Sequence, residues 1–226
     1  MNVFPIRFAI AGAVAAILFG LGSAACTKAA PPLPKTAIHD AAMAGDLAKV
    51  EAALAAGADV NALGRSDATP LHHAVWGNHA DIVALLIAKG ARLGAVDSSD
   101  RTPLHYAAQN GFLATATALL DAGADPNARN TYGFTPLAAA SMEGRVDMIR
   151  LLVARGASVD LADLAAKTPL HFAMKQKQDA AARALVELGA DVNAVDREGR
   201  RPLAEGRARG VDAETLAFLV SKGARD

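Results

Sequence analysis

Apolar positions along the chain fall into short clusters at helical spacing, and the clusters recur. Ile82, Val83, Leu85 and Leu86 occupy the i, i+3, i+4 pattern of a buried helical stripe. Met148, Ile149, Leu151 and Leu152 repeat that pattern further along. A glycine closes each such segment, at Gly57, Gly90, Gly123, Gly156 and Gly189. Ahead of each, the sequence predicts another helix that opens on Thr-Pro. The threonine hydroxyl caps it, and proline at the first helical position has the right φ and lacks an N–H that would go unpaired. Gly45, Gly111 and Gly144 end this helix; Asn78, which also tolerates the left-handed conformation, ends it once. The chain therefore reads as pairs of short amphipathic helices joined by turn-rich stretches.

The pairs keep a strict period. Thr69, Thr102, Thr135 and Thr168 each precede a proline, and each step, as from Thr69 to Thr102, is 33 residues. The same phase reaches back to Thr36 and forward to Arg201, so six units start near residues 36, 69, 102, 135, 168 and 201 and fill 36–226. Within them TPLHHA, TPLHYAAQNG, GADVNA and GADPNARN resemble the ankyrin repeat. The resemblance implies an all-α fold, a curved solenoid of stacked helix-turn-helix units with β-turn or hairpin loops. Several positions depart from the pattern. Ala37 replaces the proline, Ala138 the histidine, and Lys177 the glycine that ends the first helix. The last unit opens on Arg201 and has 13 residues from Gly210 to Gly223, where complete units have 12 between the matching glycines. The two ends of the array, units one and six, read as caps.

One apolar run lies outside this phase. Residues 8–22 are uninterrupted apolar sequence after Arg7. The run is shorter than the roughly 20 residues of a membrane span, and it fits the h-region of a secretory signal, about 7–15 residues. Ser23, Ala24 and Ala25 follow, then Cys26, so residues 1–25 are expected to be a signal peptide. Cys26 is the only cysteine, which rules out an intramolecular disulfide. Its setting resembles the lipobox of bacterial lipoproteins, in which the cysteine becomes the lipidated first residue. Ser23 stands where that motif usually has leucine, and Ser23 with Ala25 also suits ordinary cleavage, so both fates stay open. Residues 26–35 form a Pro-rich tether. The expected location is the periplasm, with an N-terminal lipid anchor as the one membrane contact.

Composition narrows the chemistry. Lys plus Arg equals Asp plus Glu, 23 of each, which argues against binding nucleic acid through its phosphates. The sequence has no phosphate loop, HExxH, CxxC or GxSxG, and no cofactor, metal or catalytic residue is expected. His39, His72, His105 and His171 each sit three residues after a unit start. Neighbouring helices lie about 8–10 Å apart. Zinc holds its nitrogen ligands at about 2.0–2.1 Å, so a column at repeat spacing cannot converge on one ion. The resemblance implies instead a structural histidine that hydrogen-bonds near the turn and bridges units, with His79 also structural.

Helix geometry, at 100° per residue, sets offsets +4, +7 and +8 from each unit start opposite the buried side. These positions include His73 and Trp76, then Tyr106, Gln109 and Asn110, then Met142 and Glu143, and Phe172 in unit five. They are expected to face outward on the concave surface, extended at the turn tips by Arg129, Tyr132 and Phe134. Exposed aromatics and arginine are the types enriched at binding hot spots. The candidate partner-binding set is therefore His73, Trp76, Tyr106, Gln109, Asn110, Arg129, Tyr132, Phe134 and Met142. The leading expectation is a non-catalytic scaffold that binds another protein. A stabilising envelope element with no specific partner and an enzyme with an unrecognised site are the alternatives.

Overall fold

The computed structural model describes residues 37–226. The expected signal peptide, Cys26 and the Pro-rich tether lie outside the described residues.

Twelve α-helices and no strand are found among the described residues. They form six pairs: α1 (Ala37–Ala44) with α2 (Leu47–Ala55), α3 (Pro70–Trp76) with α4 (Ala80–Ala88), α5 (Pro103–Asn110) with α6 (Leu113–Asp121), α7 (Pro136–Met142) with α8 (Val146–Ala154), α9 (Pro169–Lys175) with α10 (Asp179–Glu187), and α11 (Pro202–Arg209) with α12 (Ala213–Ser221). The first helices of successive pairs pack on one another in an inner row, and the second helices do so in an outer row. The fold is an all-α solenoid of repeated helix pairs.

The rows are held together by small and branched residues at matching positions. Ala74, Ala107, Ala140 and Ala173 are fully buried on the inner helices, where a methyl group lets the rows approach closely. Leu71, Leu104, Leu137 and Leu170 are buried beside them, and Ile82, Leu86, Leu119, Ile149 and Leu152 face them from the outer row. Burying one such side chain stabilises by about 1.5–3 kcal/mol. Two members of the predicted stripe, Leu85 and Leu151, are only partly covered, because they sit at its edge.

The histidine column closes the start of each inner helix. The Thr69 backbone N–H donates to His72 Nδ1 at 3.2 Å, and the Thr69 hydroxyl lies 2.9 Å from the same nitrogen. Because Nδ1 accepts, the ring proton sits on Nε2, which donates at 3.0 Å to the carbonyl of Arg101, the residue just ahead of the next unit start. His105 bonds the Phe134 carbonyl in the same way at 3.0 Å, and His171 the Arg200 carbonyl at 3.2 Å. His39 reaches Ala62 instead, at 2.9 Å. The loop there turns through Gly64, where a Cβ would come within 2.9 Å of the His39 ring. Burial lowers the His72, His105 and His171 pKa below the ordinary value.

A further tie recurs at the start of the outer helices. His79 Nε2 donates to the Met43 carbonyl at 3.1 Å, Arg145 Nε to Gln109 at 3.2 Å, and Gln178 Nε2 to Met142 at 3.3 Å. Each bond satisfies a carbonyl at the end of the preceding inner helix, where no intrahelical donor remains. The one-residue excess of the last unit falls between α11 and α12. Val211 is buried in that turn, and Asp212 then caps α12 by accepting from the Thr215 N–H at 2.7 Å.

Candidate protein-binding face

The turn tips beside the inner helices are folded by one recurring side chain. Asp97 Oδ1 accepts from the Ser99 and Arg101 N–H groups at 2.8 and 3.0 Å. Asn130 does the same for Tyr132 and Phe134, Asp163 for Ala165 and Lys167, and Asp196 for Glu198 and Arg200. Backbone bonds then link one tip to the next. Ser98 donates to Ser66 at 2.8 Å, Thr131 to Ser99 at 3.2 Å, Leu164 to Tyr132 at 3.2 Å, and Arg197 to Ala165 at 3.0 Å. The tips thus form a continuous edge above the inner helices.

Two features lie between that edge and the helices. The first is an aromatic stack across units one to three. His39 and His73 meet at 5.2 Å between centroids, His73 and Trp76 at 4.7 Å, and Trp76 and Tyr106 at 5.1 Å. The Arg101 guanidinium lies over Tyr106, 4.4 Å from the ring centroid. The Tyr106 hydroxyl donates to Asp97 Oδ2, which also pairs with Arg101 at 2.9 Å. Burial would raise the Asp97 carboxyl, but the bonds from Tyr106, Arg101 and Ser99 outweigh it and hold the group below the ordinary carboxylate value. Burial and the Asp97 contact raise the Tyr106 phenol. Burial, with the neighbouring His39, depresses His73 to about 4.

This stack corrects the expectation of free-standing side chains. His73 and Trp76 are half-buried rather than exposed, and Phe172 is buried, 3% exposed. A helical-wheel angle gives the direction of a side chain but says nothing of what the next unit puts above it. Here rings at equivalent offsets meet, and burying their faces against each other wins over exposure. Phe172 meets Phe134 edge to face at 5.0 Å, next to the unit whose histidine is replaced by Ala138.

The second feature is a groove between units three and four. Its cavity of about 260 Å³ is lined by α5, α7 and their tips, with Tyr132, Phe134, Ala139 and Met142 as apolar walls and Arg101, Gln109, Asn130 and Glu143 as polar ones. Of the nine sequence-predicted residues, it brings together Gln109, Tyr132, Phe134 and Met142. His73, Trp76 and Tyr106 lie in the neighbouring stack. Asn110 and Arg129 line neither. Asn110 donates to the Tyr106 carbonyl at 2.9 Å, and Arg129 reaches the Ala162 carbonyl of the next tip at 2.8 Å. Sequence reasoning missed Asn130, Asp97 and Arg101. Asp97, Asn130, Asp163 and Asp196 stand 33 residues apart, five before each unit start, and that column was the available signal. No group of three or more metal-ligating side chains is found among the described residues.

A family model for ankyrin repeats, in three copies, matches residues 12–97, 38–130 and 104–196. The chain belongs to the ankyrin-repeat family. No curated protein matches it. Ankyrin repeats generally mediate protein–protein interaction, and proteins built from them are typically non-catalytic scaffolds. The ankyrin pattern is incomplete at the groove. Unit four lacks the bridging histidine, and Thr135 there accepts from the Ala138 N–H at 3.1 Å instead. This ankyrin face therefore keeps its helix cap in unit four without a histidine tie to unit five.

Proposed function

We propose that this protein is a scaffold that binds a partner protein along the inner-helix face, with the groove between units three and four as its centre. The observation that supports this reading is the cavity walled by Tyr132, Phe134 and Met142. Tyr132 is 63% exposed although large and aromatic, and Leu164 on the next tip is 55% exposed. At about 260 Å³ the cavity lies just below the roughly 300–1,000 Å³ of small-molecule sites, a size that suits a side chain of a partner. The polar groups at its rim match the anatomy of protein interfaces, in which a desolvated apolar centre is ringed by polar contacts.

The same proposal places the scaffold outside the cytoplasm. Its support is the apolar run of residues 8–22, the small residues after it, and the single Cys26. Cys26 as a lipidated anchor followed by a Pro-rich tether would hold the repeats near a bacterial membrane. Mass spectrometry of the mature N-terminus tests this directly. A diacylglyceryl Cys26 is the expected result, and a chain that keeps residues 1–25 would overturn it.

Photo-crosslinking in the producing cells tests the binding face. A benzoylphenylalanine at Tyr132 is expected to give adducts with a discrete protein, and the same probe at Ala114, exposed on the outer row, is expected to give none. Met142→Glu should abolish the Tyr132 adduct. Equal labelling from both positions, or none from Tyr132, would remove the support for this face.

A further inference from the structure

We propose that the groove takes an apolar side chain with a lysine or arginine next to it, presented by an extended segment of the partner. This rests on the binding face proposed above and adds the chemistry of what fills it. The size and walls of the cavity set the first half. Phe134, Met142 and Ala139 offer an apolar seat closed on one side by the Tyr132 ring. One aliphatic side chain suits that space.

Charge sets the second half. Two ionisable groups with a full charge line the groove, Arg101 and Glu143. The Arg101 charge is already answered within the wall. Its guanidinium is bonded to the buried Asp97 at 2.9 and 3.1 Å and lies on the Tyr106 face. Glu143 is exposed at the end of α7 and enters no ion pair among the described residues. His105, also in the lining, is buried, and burial lowers its pKa below the ordinary histidine value; its Nδ1 accepts from the Thr102 N–H. With Arg101 neutralised by Asp97, the groove therefore carries one uncompensated negative charge beside its apolar seat. A cation adjacent to the anchor complements it, whereas a carboxylate there would meet the like charge of Glu143. Gln109, exposed on α5, adds an amide that can bond the backbone of an extended segment.

The test uses the whole protein as isolated from its producing cells, labelled with ¹³C at the methionine methyls. Met142 reports on the groove, Met43 is exposed on α1, and Met148 and Met174 are buried, so the last three serve as internal references. The probe is the blocked peptide acetyl-Gly-Ser-Leu-Lys-Ser-Gly-amide. It is expected to shift the Met142 methyl alone, with millimolar affinity. Replacing its leucine by serine should weaken binding about tenfold or more, the effect of withdrawing a buried aliphatic side chain. Replacing its lysine by glutamate should weaken it about two- to fivefold, as expected for a rim ion pair. Glu143→Lys should reverse that last preference while leaving the need for leucine intact. The inference fails if the lysine and glutamate peptides bind alike, if the preference survives Glu143→Lys, or if Met142 does not respond. A Tyr132 crosslink that persists under those outcomes leaves the face standing with the wrong chemistry assigned. Loss of the crosslink is the separate failure of the face itself.

Discussion

Asp160 stands where three other units carry asparagine. Asn61, Asn127 and Asn193 each accept a backbone N–H of the next unit and donate to the carbonyl of Gly90, Gly156 or Gly223, at 3.3, 3.0 and 2.9 Å. Asp160 accepts from the Asp191 N–H at 3.0 Å, but its carboxylate has no proton to donate. Burial raises its pKa, and the Asp191 charge adds to the rise. A carboxyl that binds its proton more tightly when folded loses stability as pH rises through its titration. Asp160→Asn is therefore expected to stabilise the array by about 1 kcal/mol at neutral pH, the typical value of one added hydrogen bond. The gain should shrink below about pH 4, where the carboxyl is protonated and can donate for itself. Urea midpoints of the two proteins at both pH values decide it; a gain independent of pH would contradict the carboxylate account. Such single-residue departures are visible in the sequence once the period is known. Lys177, read there as the replacement for a glycine, does adopt a left-handed φ of 56°.

At the level of the helix, the alternation of buried and covered positions decides how much each side chain contributes. Leu152 has no exposure, whereas Leu85 is only partly covered. Leu152→Ala is expected to cost about 2–5 kcal/mol, as deletions from a packed core do. Leu85→Ala should cost well under half as much, since it removes atoms already part-way to water. Chemical denaturation of both variants checks the ordering, and equal losses would contradict the burial assignment. The inner and outer helices and their glycine stops were legible in the sequence, because each is a local pattern of residue types repeated at one spacing; the structural role of the histidines came from the ankyrin resemblance. The aromatic stack was not. His73 and Trp76 were expected to face outward, but they cover each other and meet rings from units one and three. The groove escaped for the same reason, being formed by two helices and two tips distant in sequence.

Across the whole molecule the caps make stability depend on acid. His72, His105 and His171 all have folded pKa values below the ordinary histidine value, and burial is the leading cause in each. A depressed histidine contributes stability above its unfolded pKa, about 6.5, and that stability is lost as pH falls below it. Protonating Nδ1 would also set it against the Thr N–H that it accepts from. The urea midpoint is expected to be level above about pH 7 and to decline from about pH 6.5 downward. A midpoint unchanged to about pH 5 would show that these imidazoles do not titrate with folding. The tip-to-tip ladder was not legible at this scale either, because backbone bonds carry no side-chain signature.

That ladder joins residues 32 positions apart at every step, as Thr131 to Ser99 and Leu164 to Tyr132. The histidine bridges likewise span a constant 29 positions in units two, three and five. Apart from the seam after unit four, which lacks the histidine tie and carries Asp160, and the His39 bond to Ala62 in unit one, the seams present their neighbours with a closely similar set of donors and acceptors. Duplicating or excising one whole unit changes the reach of the molecule without altering the bonds at the seams that remain. Length is thus a property that such a chain can acquire or shed in single steps, while a change of any other size falls on the bonds that span it, as the extra residue between α11 and α12 is taken up within one turn.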